Sequence, residues 1–136
     1  MFIWGGDAVY ADKFEAIFMA DNEGWRPIDE VKHQFSRVTL EYPYYQLMKD
    51  LGTKVIGTWD DHDYGVNDGD INYINKHLMR DIFLDFVDEP EDSERRLDLQ
   101  SPIHQDYLVE IGDFKTHIVL LDNRWDFDKE KGDRLG

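Results

Sequence analysis

Two clusters of oxygen-bearing side chains stand directly behind short apolar runs. Met1-Phe2-Ile3-Trp4 leads into Gly5-Gly6-Asp7-Ala8-Val9-Tyr10, and Val55-Ile56-Gly57-Thr58-Trp59 leads into Asp60-Asp61-His62-Asp63-Tyr64-Gly65, with Asn67 and Asp68 just beyond. Carboxylate oxygens suit hard cations, and a tyrosine oxygen suits ferric iron. The spacing from Asp7 to Tyr10 lets a short turn bring carboxylate and phenol to one side. Three acids and an imidazole after a buried strand are costly unless cations or hydrogen bonds satisfy them. Read alone, the first string is more simply a strand-end turn with a surface tyrosine. The second alone could be an acidic loop capping a helix. Asn67 and Asp68 are equally turn residues.

The elements that would position these groups can be read from the apolar pattern. Each apolar run ending in glycine or aspartate reads as a buried strand. Ligands in open α/β sheets sit outside the carboxyl ends of the strands, and adjacent strands lie about 4.8 Å apart. Neighbouring strand ends could therefore serve one cation, or two about 3.5–4 Å apart. A short helix is expected over 12–22, with Phe14, Ile17 and Phe18 at helical spacing. A longer one starts near Pro27 and runs through Val31, Phe35, Val38 and Leu40. Pro43 interrupts it, Tyr44, Leu47, Met48 and Leu51 continue an apolar face, and Gly52 stops it. Strand 53–59 and its loop precede a third helix over 71–87, whose face is Ile74, Leu78, Ile82, Phe83 and Phe86. Residues 106–111 and 115–121 flank Gly112-Asp113 as a β-hairpin, followed by Asp122-Asn123-Arg124. The order predicts an α/β layered domain with a mixed sheet. The aromatic run Tyr42, Tyr44 and Tyr45 reads as core. His33, His77, His104 and His117 lie away from both clusters.

Composition bounds the chemistry. The chain has 136 residues, 41% hydrophobic and 14% aromatic, enough for one folded domain. Its formal net charge of −15 would repel nucleic acid and anionic lipid, so no nucleic-acid platform is expected. It would repel a phosphate ester too, unless bound cations inverted the local field. The absence of cysteine excludes disulfides and thiolate metal sites. No apolar run reaches membrane-spanning length, so no membrane segment is expected, and no signal peptide is visible. The chain begins abruptly on a buried strand, which leads to the expectation that earlier strands are missing.

Taken together, Gly6-Asp7-Ala8-Val9-Tyr10, Trp59-Asp60-Asp61-His62-Asp63-Tyr64-Gly65 with Asn67, and Leu120-Leu121-Asp122-Asn123-Arg124 resemble the PhoD-like alkaline phosphatases. These are a branch of the calcineurin-like metallophosphoesterases. Order and spacing match over essentially the whole chain, and the tryptophan-aspartate-aspartate-histidine string is specific to this branch. The resemblance implies one domain over 1–136, part of a four-layer αββα sandwich that hydrolyses phosphate mono- or diesters. It implies two metal ions, Fe3+ and Ca2+, a small phosphate-ester substrate, and an exported or membrane-associated parent. By position, Asp7 would bridge the metals, Tyr10 would ligate the ferric ion and Asp61 would bind the second metal. His62 would sit beside the phosphate, stabilising charge or protonating the leaving oxygen. Asp60, Asp63 and Asn67 would hold the loop and orient ligands. Arg124 would contact phosphate or, more plainly, form a structural salt bridge. The superfamily's first and last metal motifs have no counterpart here, so the chain alone is expected to bind metal weakly and to be impaired as an enzyme. The alternatives are a purple-acid-phosphatase-like enzyme and a non-catalytic acidic domain that binds divalent cations.

Overall fold

The computed structural model describes residues 1–13 and 24–133. The helix expected over 12–22 lies almost wholly outside them. The first strand, β1 (Phe2–Gly5), ends at the first polar cluster. Helix α1 (Ile28–Glu41) follows, with Pro27 at its N-cap and Val31 and Phe35 turned inward. It stops at Tyr42, whose backbone is extended because the residue before a proline is barred from the helical region. Pro43 then opens α2 (Pro43–Asp50), which buries Tyr45 and Met48. Gly52, at φ +64°, closes α2 in a left-handed turn. There Thr53 N–H donates to the Met48 carbonyl and Gly52 N–H to that of Lys49.

Strand β2 (Val55–Thr58) pairs with β1 in parallel, from Phe2 opposite Val55 to Gly5 opposite Thr58. Gly57 is required at the crossing, since a Cβ there would meet the Trp4 Cβ at 2.9 Å. One turn of helix, α3 (Asp61–Tyr64), follows β2 directly. Then come α4 (Lys76–Phe86) and the short α5 (Glu94–Leu97). Strands β3 (Gln105–Ile111) and β4 (Phe114–Leu120) form the expected hairpin across Gly112-Asp113.

The protein is mixed α/β, but the described strands do not join into one mixed sheet. They form a parallel pair and a separate antiparallel pair. Side chains occupy the outer flank of β2 instead of another strand. The Arg95 guanidinium donates to the Gly57 carbonyl at 2.9 Å, and the Thr58 hydroxyl donates to the Leu121 carbonyl at 2.8 Å. The hairpin is thus tied to the end of β2 through side chains rather than through a ladder.

Trp59 anchors the core at 1% exposure, packed on Tyr64, Phe83 and Trp125. The inward face of α4 is Met79, Ile82, Phe83 and Phe86. The third helix begins at Lys76, five residues later than the periodicity suggested, so Ile74 lies outside it and is exposed, as is Leu78. Of the aromatic run, Tyr45 alone is core, its hydroxyl donating to the Phe86 carbonyl, while Tyr42 and Tyr44 are exposed. Arg80 is buried, and among the described residues it forms no salt bridge within 4 Å. Its guanidinium donates to the carbonyls of Ser101, Arg95 and Asp98, closing the loop around α5.

Candidate metal centre

Because β1 and β2 are parallel and in register, their carboxyl ends bring the two polar clusters together. One ligand atom from each of Asp7, Asp61 and His62 lies within 4.8 Å of the others. Asp7 sits at φ +52°, a left-handed conformation unusual for a residue with a side chain. Gly6, before it, has φ +106°, and a Cβ there would stand 2.8 Å from the Asp60 Cβ. The two strand ends touch through that glycine. Gly6→Ala is therefore expected to lose about 2–4 kcal/mol of stability, from backbone strain and overpacking together. A denaturant midpoint unchanged from wild type would refute the close approach.

The loop after β2 is held by its own acids. Asp63 is fully buried; its carboxylate accepts the Val9 N–H at 2.8 Å and the Asp60 N–H at 3.3 Å. It thus staples the β1 end to the β2 end. Burial pushes its carboxyl up to about 7; the Val9, Asp60 and Asp7 N–H groups pull it back, and the charge of Asp7 adds to the rise. Between the unfolded value of 3.8 and about 7, the folded chain then holds a proton that the unfolded chain has released. Stability from this group is highest at the acid end of that window and falls as pH rises through it. Asp63→Asn should flatten that fall, which urea midpoints measured from pH 4 to 8 would register. Parallel profiles for the two proteins would contradict the assignment.

Asp61 Oδ2 accepts the Asp68 N–H at 2.7 Å, and its Oδ1 lies 3.6 Å from Arg124 Nη2. Asp60 is bound by Arg124, through Nε at 2.7 Å and Nη2 at 2.5 Å. Arg124 is itself buried and forms a salt bridge with Asp60, while its Nη1 has no hydrogen-bond partner among the described residues. Asn67 enters through its backbone, its N–H donating to Asp12 Oδ2 at 3.0 Å, while its side-chain amide reaches Asp68. Tyr10 is 60% exposed and stacks on the His62 ring, with centroids 4.1 Å apart. Asp7's carboxyl is raised first by burial and then by the charges of Asp61 and Asp60, against the pull of His62 and Arg124.

Two acids that the motif reading passed over complete the arrangement. Asp12, 4% exposed, accepts from His62 Nδ1 at 2.9 Å. Asp122 accepts the Trp59 indole N–H at 2.7 Å and the backbone N–H groups of Ile103, Arg124 and Trp125 at 2.9–3.0 Å. No sequence signal marks Asp12 beyond being an acid two residues after Tyr10. Asp122 lay within a quoted string but was given no role. His33, His77, His104 and His117 are exposed and away from the cluster; His117 pairs with Asp106 across the hairpin.

Two carboxylates and an imidazole converging at strand ends form a donor set suited to a divalent or ferric cation. No family model, curated protein or solved structure matches the chain.

Proposed function

We propose that this chain carries a metal-dependent phosphoesterase centre of the PhoD-like kind, acting on phosphate mono- or diesters. The observation that supports it is the convergence of Asp7, Asp61 and His62 at the carboxyl ends of two adjacent parallel strands. In this reading the two small sheets are inner parts of a four-layer αββα sandwich. The donor set fits the implied Fe3+ and Ca2+. Asp7, Tyr10 and Asp61 would hold the cations. Such ions supply positive charge to a phosphoryl oxygen and make water a nucleophile at neutral pH.

The chain's own residues supply orientation and proton handling. His62 presents a ring nitrogen beside the carboxylates, where it can hold or deliver a proton. Arg124 fixes Asp60, and Asp60 fixes the start of the loop. Asp68 N–H holds one oxygen of Asp61, and the other lies 3.6 Å from Arg124 Nη2.

The test is titration of the chain with ferric and calcium ions by calorimetry, beside phosphate release from an aryl phosphate. Cation-dependent hydrolysis is the expected result. Binding without hydrolysis would replace the enzyme with a cation-binding domain. Neither binding nor hydrolysis would end the reading.

A further inference from the structure

Between β1 and the corner where α1 meets α2 lies a cavity of about 220 Å³, lined by none of the candidate ligands. Its walls include five aromatic rings, those of Phe2, Trp4, Tyr42, Tyr44 and Tyr45, and the rest are apolar. We propose that this cavity is a cage for a small free quaternary ammonium ion, held by cation–π attraction to those rings. The proposal does not depend on the phosphoesterase reading.

Phe2 and Trp4 stand two residues apart on one face of β1, with ring centroids 5.1 Å apart and planes at 76°. Two aromatic walls at that angle make a corner rather than a flat platform. Tyr45 is buried, its hydroxyl committed to the Phe86 carbonyl and its ring stacked on Phe86, so its position is fixed. Tyr42 and Tyr44 are 56% and 68% exposed, which puts the opening on their side. No wall carries a charged side chain, so no basic group excludes a cation. A small hydrated ion such as sodium gives up much water on entering apolar walls; a methylated ammonium, itself apolar on its surface, gives up little. Aromatic faces attract such an ion. The chain's net charge of −15 draws cations and repels anions. That charge also selects the source. A lipid headgroup would bring its phosphate to a mouth with no positive wall, whereas a free ion brings none. An apolar cavity of about 150 Å³ takes up benzene, so this one has room for a trimethylammonium group.

The indole N–H of Trp4 is buried without a hydrogen-bond partner among the described residues, so its resonance reports on the cavity rather than on solvent. Its loss in Trp4→Phe, which keeps an aromatic wall, assigns it. Choline added to the full chain at fixed ionic strength should shift this resonance saturably. The neutral carbon isostere 3,3-dimethylbutan-1-ol has the same shape without the charge, and should bind at least about 10-fold more weakly. Tyr44→Leu keeps an apolar side chain at an exposed position and removes one ring. It should weaken choline by about 3–10-fold and leave the isostere unchanged. Equal affinity for the two compounds would make the cavity a plain apolar pocket and overturn the proposal. So would the absence of a saturable shift with choline, an equal shift with sodium chloride, or full choline affinity in Tyr44→Leu. Capture of the chain by phosphatidylcholine vesicles, released by choline, would assign the site to a lipid headgroup and overturn the free ion. None of these measurements needs a metal, so failure of the phosphoesterase reading leaves the test intact.

Discussion

Asp122→Ala is expected to cost about 5 kcal/mol and to leave little folded protein. The residue is 3% exposed and accepts four N–H groups, from the Trp59 indole and from the backbones of Ile103, Arg124 and Trp125. A buried donor left without an acceptor costs about 1–3 kcal/mol. Four such donors approach the whole stability of an ordinary domain, about 5–15 kcal/mol. The asparagine variant separates the contributions. Oδ1 takes three of the donors and could remain an oxygen, whereas Oδ2, which takes Ile103 N–H, would become an amide facing another donor. Asp122→Asn should therefore lose only about 1–3 kcal/mol. Guanidinium unfolding followed by tryptophan fluorescence reads both, since Trp59 and Trp125 pack on this carboxylate's partners. A loss below about 1 kcal/mol for the alanine variant would show that water replaces the carboxylate freely.

Asp7→Asn should move stability and cation binding in opposite directions. Asparagine tolerates a left-handed backbone nearly as well as aspartate does, so φ +52° is no obstacle. The charge it removes is opposed by burial and by Asp61 and Asp60, so the cation-free chain should become more stable at neutral pH. The same charge is the one the proposed centre needs between its cations. Affinity for calcium or ferric ion should fall by at least about 100-fold, beyond the cost of losing an outer partner. Calorimetric titration and urea unfolding in chelator test the two halves. A variant that binds cations as tightly as wild type would remove Asp7 from the ligand set, and the centre with it.

How legible all this was in the sequence depended on the kind of interaction. Trp59 as a buried anchor and Asp60 as a hydrogen-bonded acid could be foreseen, because a large ring before a polar loop must be buried and a shielded acid needs partners. The parallel pairing of the two strand ends, and with it the meeting of Asp7 and Asp61, followed from apolar runs ending in glycine and aspartate. Asp12 and Asp122 could not be foreseen. Asp12 works through one oxygen aimed at donors 50 or more residues away, and Asp122 through both oxygens, aimed at Trp59, at Ile103 and at the N–H groups of the turn that follows it; no periodicity encodes such aim. Ile74 misled because apolar spacing continues past the point where the chain leaves the helix. The expected mixed sheet failed because Arg95 and Thr58, unremarkable as residue types, occupy the flank where a strand was anticipated.

The parallel ladder between Phe2–Gly5 and Val55–Thr58 also sets an order in time. Parallel strands cannot meet by a tight turn, and the helices between them must be compacted first. Asp7 is far from Asp60 and Asp61 until that last approach, so its repulsion by that pair is absent from the early chain and opposes only the closing step. Cations present during refolding would relieve that opposition where it arises. The acidic centre would then act as a checkpoint on its own assembly, closing readily in a cell compartment rich in the right ion and slowly elsewhere.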